Sequence, residues 1–268
     1  PIFCVPILKS LYQNGYNISV VFTQPPQKSH RGQKINKSPI QGISETLNID
    51  YRTPKTLKDN HEEYEFLKEL NADLAIVCAY GQIIPENFLN LTKKGFVNIH
   101  ASILPSWRGA APIQRSIMNL DPETGISIMK IKKELDSGPV SNIYKIKIDQ
   151  NQNAQEISEK LSALAAEKIL DNVDDILEDK AKFIDQDHSK ATYAKKIDKE
   201  ESRIDWDEDA SKIIGKINGL FPSPGASFSF NGERYKILKA EIGNGIGQVG
   251  EIISNQLEVA CNKNQSIK

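Results

Sequence analysis

Leu74-Ala75-Ile76-Val77-Cys78-Ala79 is an unbroken apolar run, with Asp73 before it and Tyr80-Gly81 after it. A strand with one wet face alternates polar and apolar residues, whereas a strand covered on both faces reads as continuous Ile, Val and Ala. The run therefore predicts a strand inside a helix-covered sheet. Gly95-Phe96-Val97-Asn98-Ile99-His100 reads as the next strand, and β-branched Ile18-Ser19-Val20-Val21-Phe22-Thr23 as an earlier one.

Helical patterns lie around them at 39–48, 57–70 and 111–119, the second with Tyr64, Leu67 and Leu70 spaced for one face. Strands are expected at 126–131 and 140–148. One long amphipathic helix is expected over 155–180, broken near Asp171. Strand–helix alternation of this kind predicts an α/β fold, a mostly parallel sheet with helices on both faces. Its site is expected beyond the carboxyl ends of the strands, where Asn98 and His100 fall.

A charged segment poor in apolar residues, 182–205, reads as a linker between domains at 1–181 and 206–268. After a helix at 211–218 the pattern turns to β: Ser227-Phe228-Ser229-Phe230, the dipeptide Asn231-Gly232, then 235–242, with further strands at 249–253 and 257–260. Asn-Gly between apolar runs is a strong hairpin signal. Gly245-Ile246-Gly247-Gln248-Val249-Gly250 has the spacing of a dinucleotide-binding loop, but a β run follows it instead of a helix, so it reads as a plain loop.

Lys and Arg total 34 against 35 Asp and Glu, which excludes a chain that is basic throughout. The distribution says more. No acid precedes Glu45, while Lys9, Lys28, Arg31, Lys34 and Lys37 all do; over 151–190 ten acids face five lysines. Such asymmetry suits a local patch facing a polyanion. Three scattered cysteines make no disulfide framework and fit a reducing compartment. No apolar stretch is long enough to span a membrane, and no leader sequence is evident.

Side chains at i and i+2 of a strand share a face, so Asn98 and His100 project together while Ile99 points away. An amide that can donate to a developing oxyanion, beside an imidazole that can manage a proton, suits acyl transfer. Asp136-Ser137-Gly138-Pro139 is a turn by composition, and it offers a carboxylate. The four histidines are dispersed without ligand spacing, so no metal is expected. A hydrolase triad of Ser102, His100 and Asp136 lacks the glycine pattern of a nucleophile elbow.

Asn98-Ile99-His100, Ser102-Ile103-Leu104-Pro105, Trp107-Arg108-Gly109-Ala110-Ala111-Pro112-Ile113-Gln114 and Leu135-Asp136-Ser137-Gly138 together resemble the 10-formyltetrahydrofolate-dependent formyltransferases. The Trp107 to Gln114 run looks most like the members that act on methionyl-tRNA. The resemblance extends from Pro1 to Trp206 and fades past Phe221. It implies a Rossmann-like sheet followed by a small OB-like β-barrel. In the family a strand precedes the first helix, so this chain, opening at Pro1 directly into a helical pattern, is expected to lack its first strand. Its C-terminal domain is expected to be truncated.

The resemblance also implies roles. Asn98, His100 and Asp136 become the catalytic set. Asn98 donates to the oxyanion. His100 is either the base or an imidazolium, and Asp136 either orients His100 or relays a proton. Ser102, Ile103, Leu104 and Pro105 shape the folate site, and the loop containing Gly81 and Ile83 forms the pterin pocket. Ala101 and Ile103 stand where the family commonly has Gly and Leu. Arg31, Lys28, Lys34 and Lys37 contact tRNA, although the stretch 220–225 lacks the family's Trp. The expected reaction moves a formyl group from 10-formyltetrahydrofolate to initiator methionyl-tRNA in the bacterial cytoplasm, by a monomer. The alternatives are a transformylase for an amino sugar or purine precursor, a 10-formyltetrahydrofolate hydrolase, and a non-catalytic RNA-binding protein.

Overall fold

The computed structural model describes residues 1–29 and 34–268, which divide into two compact units. The first comprises Pro1–Arg108, Ile126–Tyr144 and Lys160–Ala191; the second comprises Gly109–Gly125, Lys145–Glu159 and Thr192–Lys268.

The apolar run at 74–79 supplies the strand Ala75–Val77, at one edge of a four-stranded sheet. The order continues with Phe96–His100, Glu123–Lys130 and Val140–Lys147. Ala75–Val77 pairs in parallel with Phe96–His100, which pairs antiparallel with Glu123–Lys130. The sheet is thus mixed, a correction to the mostly parallel sheet expected. Apolar periodicity reports burial, not chain direction, and the short helix Pro112–Met118 followed by the turn at Leu120 (φ 62) brings the chain back reversed. The α/β class stands.

The earlier strand is only Val21–Phe22, paired in parallel with Tyr51–Arg52 as a separate two-stranded sheet. A cavity of about 540 Å³ is lined in part by Val20, Val21 and Phe22 and by Ala75, Ile76 and Val77. Helices flank these strands. Pro39–Leu47 starts where Ser38 Oγ accepts from Gln41 N, and ends at left-handed Asn48. His61–Leu70 is capped by Asn60 and closed by left-handed Asn71. It begins later than the pattern at 57–70 suggests, because Asp59 has φ 56 and Asn60 is extended. The helix Ala154–Leu177 runs unbroken through Asp171, since Ile157, Leu161, Ala165, Ile169, Val173 and Ile176 continue one buried stripe past that exposed residue. Ser10 Oγ donates to Ala166 O and Ser162 Oγ to Phe3 O, fixing the helix Val5–Gln13 within the first unit.

In the second unit Pro112–Met118 packs on Ala210–Leu220. A Cβ at Gly219 would lie 2.5 Å from Met118 Cγ, so the close approach needs a glycine there. Ile204, Ile213, Ile217, Leu220, Cys261 and Ile267 form this unit's core. Ala226–Phe230 and Glu233–Ile237 make the predicted hairpin, with Asn231 at φ 49 and Gly232 at φ 80 as its two turn residues. Val259–Cys261 pairs antiparallel with Gln265–Ile267. Among the described residues these strands close no barrel. The strand expected at 249–253 is reduced to an isolated bridge from Ile252 to Val259. The glycine loop explains this: Glu258 Oε1 accepts from Asn244 N at 2.8 Å, Gly245 N at 2.7 Å and Ser266 Oγ at 2.7 Å, so the loop wraps its own carboxylate. The Ser266 hydroxyl and these amides hold that carboxyl below the usual glutamate range.

Arg115 makes a bidentate pair with Glu201 at 2.6 and 2.9 Å and donates to the Lys195 and Lys196 carbonyls. The Arg115 hydrogen bonds lower the Glu201 pKa from 4.5, against an opposing effect of burial. A depressed folded-state pKa contributes stability that is present above the unfolded value and lost as pH falls through the folded one. Arg115→Ala is therefore expected to lower the melting temperature at pH 7 by about 3 °C. The difference from wild type should shrink below pH 4.5. Calorimetry at pH 7 and pH 3.5 checks this, and an equal gap at both values refutes it.

Among the described residues no helix is long and apolar enough to cross a membrane.

Candidate active site

Phe96–His100 places its residues as the alternation demands. Val97 and Ile99 are buried on one face, and Asn98 and His100 project from the other at the carboxyl end. Opposite them in register stand Met129 and Ser127. Asp136 lies in the connection between Glu123–Lys130 and Val140–Lys147 and reaches the same spot. Its Oδ2 is 3.7 Å from His100 Nδ1, and its Oδ1 is 3.5 Å from Asn98 Nδ2. The structure thus brings together the amide, imidazole and carboxylate read from the sequence. His100 is only 6% exposed, and the Asp136 side chain is 16% exposed.

The other ring nitrogen is held from behind. His100 Nε2 lies 2.9 Å from the Trp107 carbonyl oxygen. A carbonyl only accepts, so Nε2 carries the proton, and Nδ1 is the nitrogen free to take up or release one on the side of Asp136. Trp107 reaches this position because the segment 101–107 folds back on itself. Ser102 Oγ donates to Ser106 O, Ser106 N donates to Ile103 O, and Trp107 itself has φ 62. Ser127 pins the same segment to the sheet, its hydroxyl donating to Ser102 O at 2.6 Å and accepting from Leu104 N at 3.1 Å. Ser102 and Leu104 are buried, while Ile103 and Pro105 are at most half-buried.

In the 80–85 loop Ile83 is 88% exposed and Gly81 has φ 77, while Tyr80, Gln82, Ile84 and Pro85 are half-buried. Burial pushes the Tyr80 phenol up to about 12. Its hydroxyl and Gln82 Oε1 are buried without a hydrogen-bond partner among the described residues. Of the basic residues, Arg31 lies outside the described residues. Lys28 and Lys34 fall on the antiparallel strands Gln27–Ser29 and Lys34–Asn36. Lys37 Nζ is exposed and paired with Glu45 at 2.8 Å, which raises its pKa.

Four participants escape a reading of the sequence: the Trp107 carbonyl, Ser127, Arg108 and Gln186. The first is backbone. Ser127 carries a weak signal, a hydroxyl between the apolar residues Ile126, Ile128 and Met129. Gln186 sits inside the charged segment read as a linker, yet it is buried.

Residues 2–173 match the family model described as formyl transferase, and residues 196–268 match that of the formyl transferase C-terminal domain. The chain belongs to the formyl transferase family. It is 66% identical over 268 residues to the methionyl-tRNA formyltransferase of Pelagibacter ubique (strain HTCC1062), covering all of this chain and 86% of that protein. It is 40% identical over 266 residues to the methionyl-tRNA formyltransferase of Agrobacterium fabrum, covering 97% and 85%. Among solved structures, the sugar 3N-formyl transferase WlaRD, determined with dTDP and 5-N-formyl-THF, superposes with a TM-score of 0.74 at 20% identity. That match covers 99% of this chain and 92% of WlaRD. The family match runs to residue 268, past Phe221, where the resemblance read from the sequence fades.

Proposed function

We propose that this chain is a methionyl-tRNA formyltransferase, moving a formyl group from 10-formyltetrahydrofolate to the amino group of methionine on initiator tRNA. The observation that carries the chemistry is the convergence of Asn98, His100 and Asp136 on one sheet end. Full-length identity to methionyl-tRNA formyltransferases carries the acceptor.

The folate supplies the activated formyl carbon; the chain's residues do the rest. Asn98 Nδ2 donates to the formyl oxygen as it gains charge, an interaction worth about 3 kcal/mol in a dry site. As the amine bonds to the formyl carbon, His100 Nδ1 takes its proton while Nε2 stays tied to Trp107 O. The Asp136 carboxylate faces the imidazolium so formed and stabilises it. The intermediate then collapses by breaking the bond from the formyl carbon to N10, and the imidazolium proton passes to the leaving folate nitrogen. The reading invokes no metal. Ser102, Ile103, Leu104 and Pro105 shape the folate site beside this set, and the loop with Gly81 and Ile83 receives the pterin. The buried, unpartnered Tyr80 hydroxyl and Gln82 Oε1 suit a heterocycle with its own donors and acceptors, since such groups are costly when left unmet.

Lys28, Arg31, Lys34 and Lys37 provide a basic edge for the acceptor stem by phosphate contact. Residues 1–181 act as the catalytic domain, 182–205 as the connection and 206–268 as an OB-like tRNA-binding domain. The protein works as a cytoplasmic monomer.

The test is transfer of labelled formyl to methionine-charged initiator tRNA, with amino sugars and water as competing acceptors. Arg31→Ala should raise the KM for tRNA about tenfold and flatten its salt dependence while leaving kcat little changed. Transfer to small amines but not to charged tRNA would overturn the acceptor assignment.

A further inference from the structure

We infer that Gln186, held in place by Arg108, is the residue that positions Asp136 for the reaction. This rests on the catalytic role proposed for Asp136.

Arg108 is 3% exposed, and Gln186 beside it is also buried, at 8%. Arg108 Nε and Nη2 both donate to Gln186 Oε1, at 3.0 and 2.7 Å, and Nη2 also lies 3.2 Å from His188 Nδ1. The amide nitrogen at the other end, Nε2, donates to Asp136 O at 2.9 Å and to Gly138 O at 2.7 Å. These partners fix the amide's orientation, because a guanidinium only donates and carbonyls only accept. One glutamine therefore ties a buried cation to two carbonyls of the turn that carries the aspartate.

The turn needs such a tie. Asp136 has φ 45, a left-handed backbone that a side-chain-bearing residue holds at a cost of about 1–2 kcal/mol unless its surroundings impose it. Asp136 Oδ2 stands 3.7 Å from His100 Nδ1, beyond ordinary hydrogen-bond length, so a small shift of the turn decides whether the carboxylate serves the imidazole. Ser137 Oγ donates to Glu134 O and holds the turn internally. Gln186 holds it to a part of the chain far away in sequence.

The chemistry explains why glutamine stands there. A glutamate would pair with Arg108 at least as well, but its second oxygen would face the Asp136 and Gly138 carbonyls and repel them. Gln186→Glu thus keeps the shape and the Arg108 contact and turns the two donations to the turn into repulsions. It is expected to lower kcat by roughly 100-fold, the penalty of an ångström-scale misplacement, with little change in the KM for folate. Gln186→Met should lose a similar amount. Arg108→Lys, which keeps the charge but not the fork, should lose less.

The deciding comparison is the double variant, in single-turnover formyl transfer with thermal melting and folate binding measured on every protein. In an Asp136→Ala background Gln186→Glu should have no further effect on kcat, whereas a merely structural role predicts losses that multiply. Losses that multiply, or a Gln186→Glu enzyme within about threefold of wild type beside an inactive Asp136→Ala, overturn the inference and leave the catalytic role of Asp136 standing. Full activity of Asp136→Ala instead removes that role itself. Should Gln186→Glu melt below the assay temperature, Arg108→Lys carries the same double comparison.

Discussion

His100→Ala is expected to lower kcat for formyl transfer about 1000-fold, the middle of the range for losing a positioned general acid or base and equivalent to about 4 kcal/mol of barrier. The ring is buried, and its protonated nitrogen is fixed on the Trp107 carbonyl, so removing it leaves no side chain on that face of the strand able to accept the amine proton. Asp136 does not substitute, since it is placed to face the imidazole. Asn98→Ala, which removes an oxyanion donor and leaves the base, should cost less, about 100-fold. The KM for both substrates should move little, because neither contact is needed to hold the ground state. His100→Ala also removes the hydrogen bond from Nε2 to the Trp107 carbonyl, destabilising the fold by about 1 kcal/mol. That is small enough for the melting temperature to show that the protein is folded. Single-turnover transfer with saturating folate reads the chemical step. A kcat within tenfold of wild type would sink the proton-transfer role of His100 and leave Asn98 as the main contributor.

Much of this was legible in the residues because the physics behind it is local. The period-2 alternation of Val97, Asn98, Ile99 and His100 puts the amide and imidazole on one face in any sheet, and a strand's carboxyl end is where such side chains meet solvent and substrate. Asn231-Gly232 as a two-residue turn acts within a few residues of itself, and the Ser38 and Asn60 caps and left-handed Asn48 and Asn71, although not among the expectations, are equally local. The parallel or antiparallel sense of each pair was not legible, because it depends on how the chain between strands is routed. Nor was the reach of Gln186 across 50 residues to the Asp136 carbonyl, for a buried amide amid Asp185, Asp187 and Lys190 looks like any solvated segment. Glu258 hid in the same way: the glycines at 245, 247 and 250 suggest an anion loop, and the anion turns out to be a carboxylate of the chain itself.

Gly138→Ala is expected to be the most damaging single-methyl change in the first unit. A Cβ built on Gly138 would stand 1.9 Å from the Lys130 carbonyl oxygen and 3.0 Å from its carbon. Real Cβ contacts do not approach that closely, and the obstacle is backbone, which cannot swing aside as a side-chain end does. Lys130 N is held by Pro139 O at 2.9 Å, so the clash can be relieved only by opening the connection between Glu123–Lys130 and Val140–Lys147. Opening it pulls on the Gly138 carbonyl that Gln186 binds and on Asp136 two residues earlier. The substitution should therefore destabilise by about 3 kcal/mol, the upper end for overpacking, and lower kcat about as far as Asp136→Ala does. Gly42→Ala provides the contrast. Gly42 lies within Pro39–Leu47, and a Cβ there meets nothing within 4 Å. It should stabilise the protein by about 0.5–1 kcal/mol through helix propensity and leave kcat unchanged. Urea titration and kcat on the two variants give opposite signs in stability if the crowding at Gly138 is real. A Gly138→Ala protein as stable and active as wild type would mean that the turn carrying Asp136 sits farther from Lys130 than described.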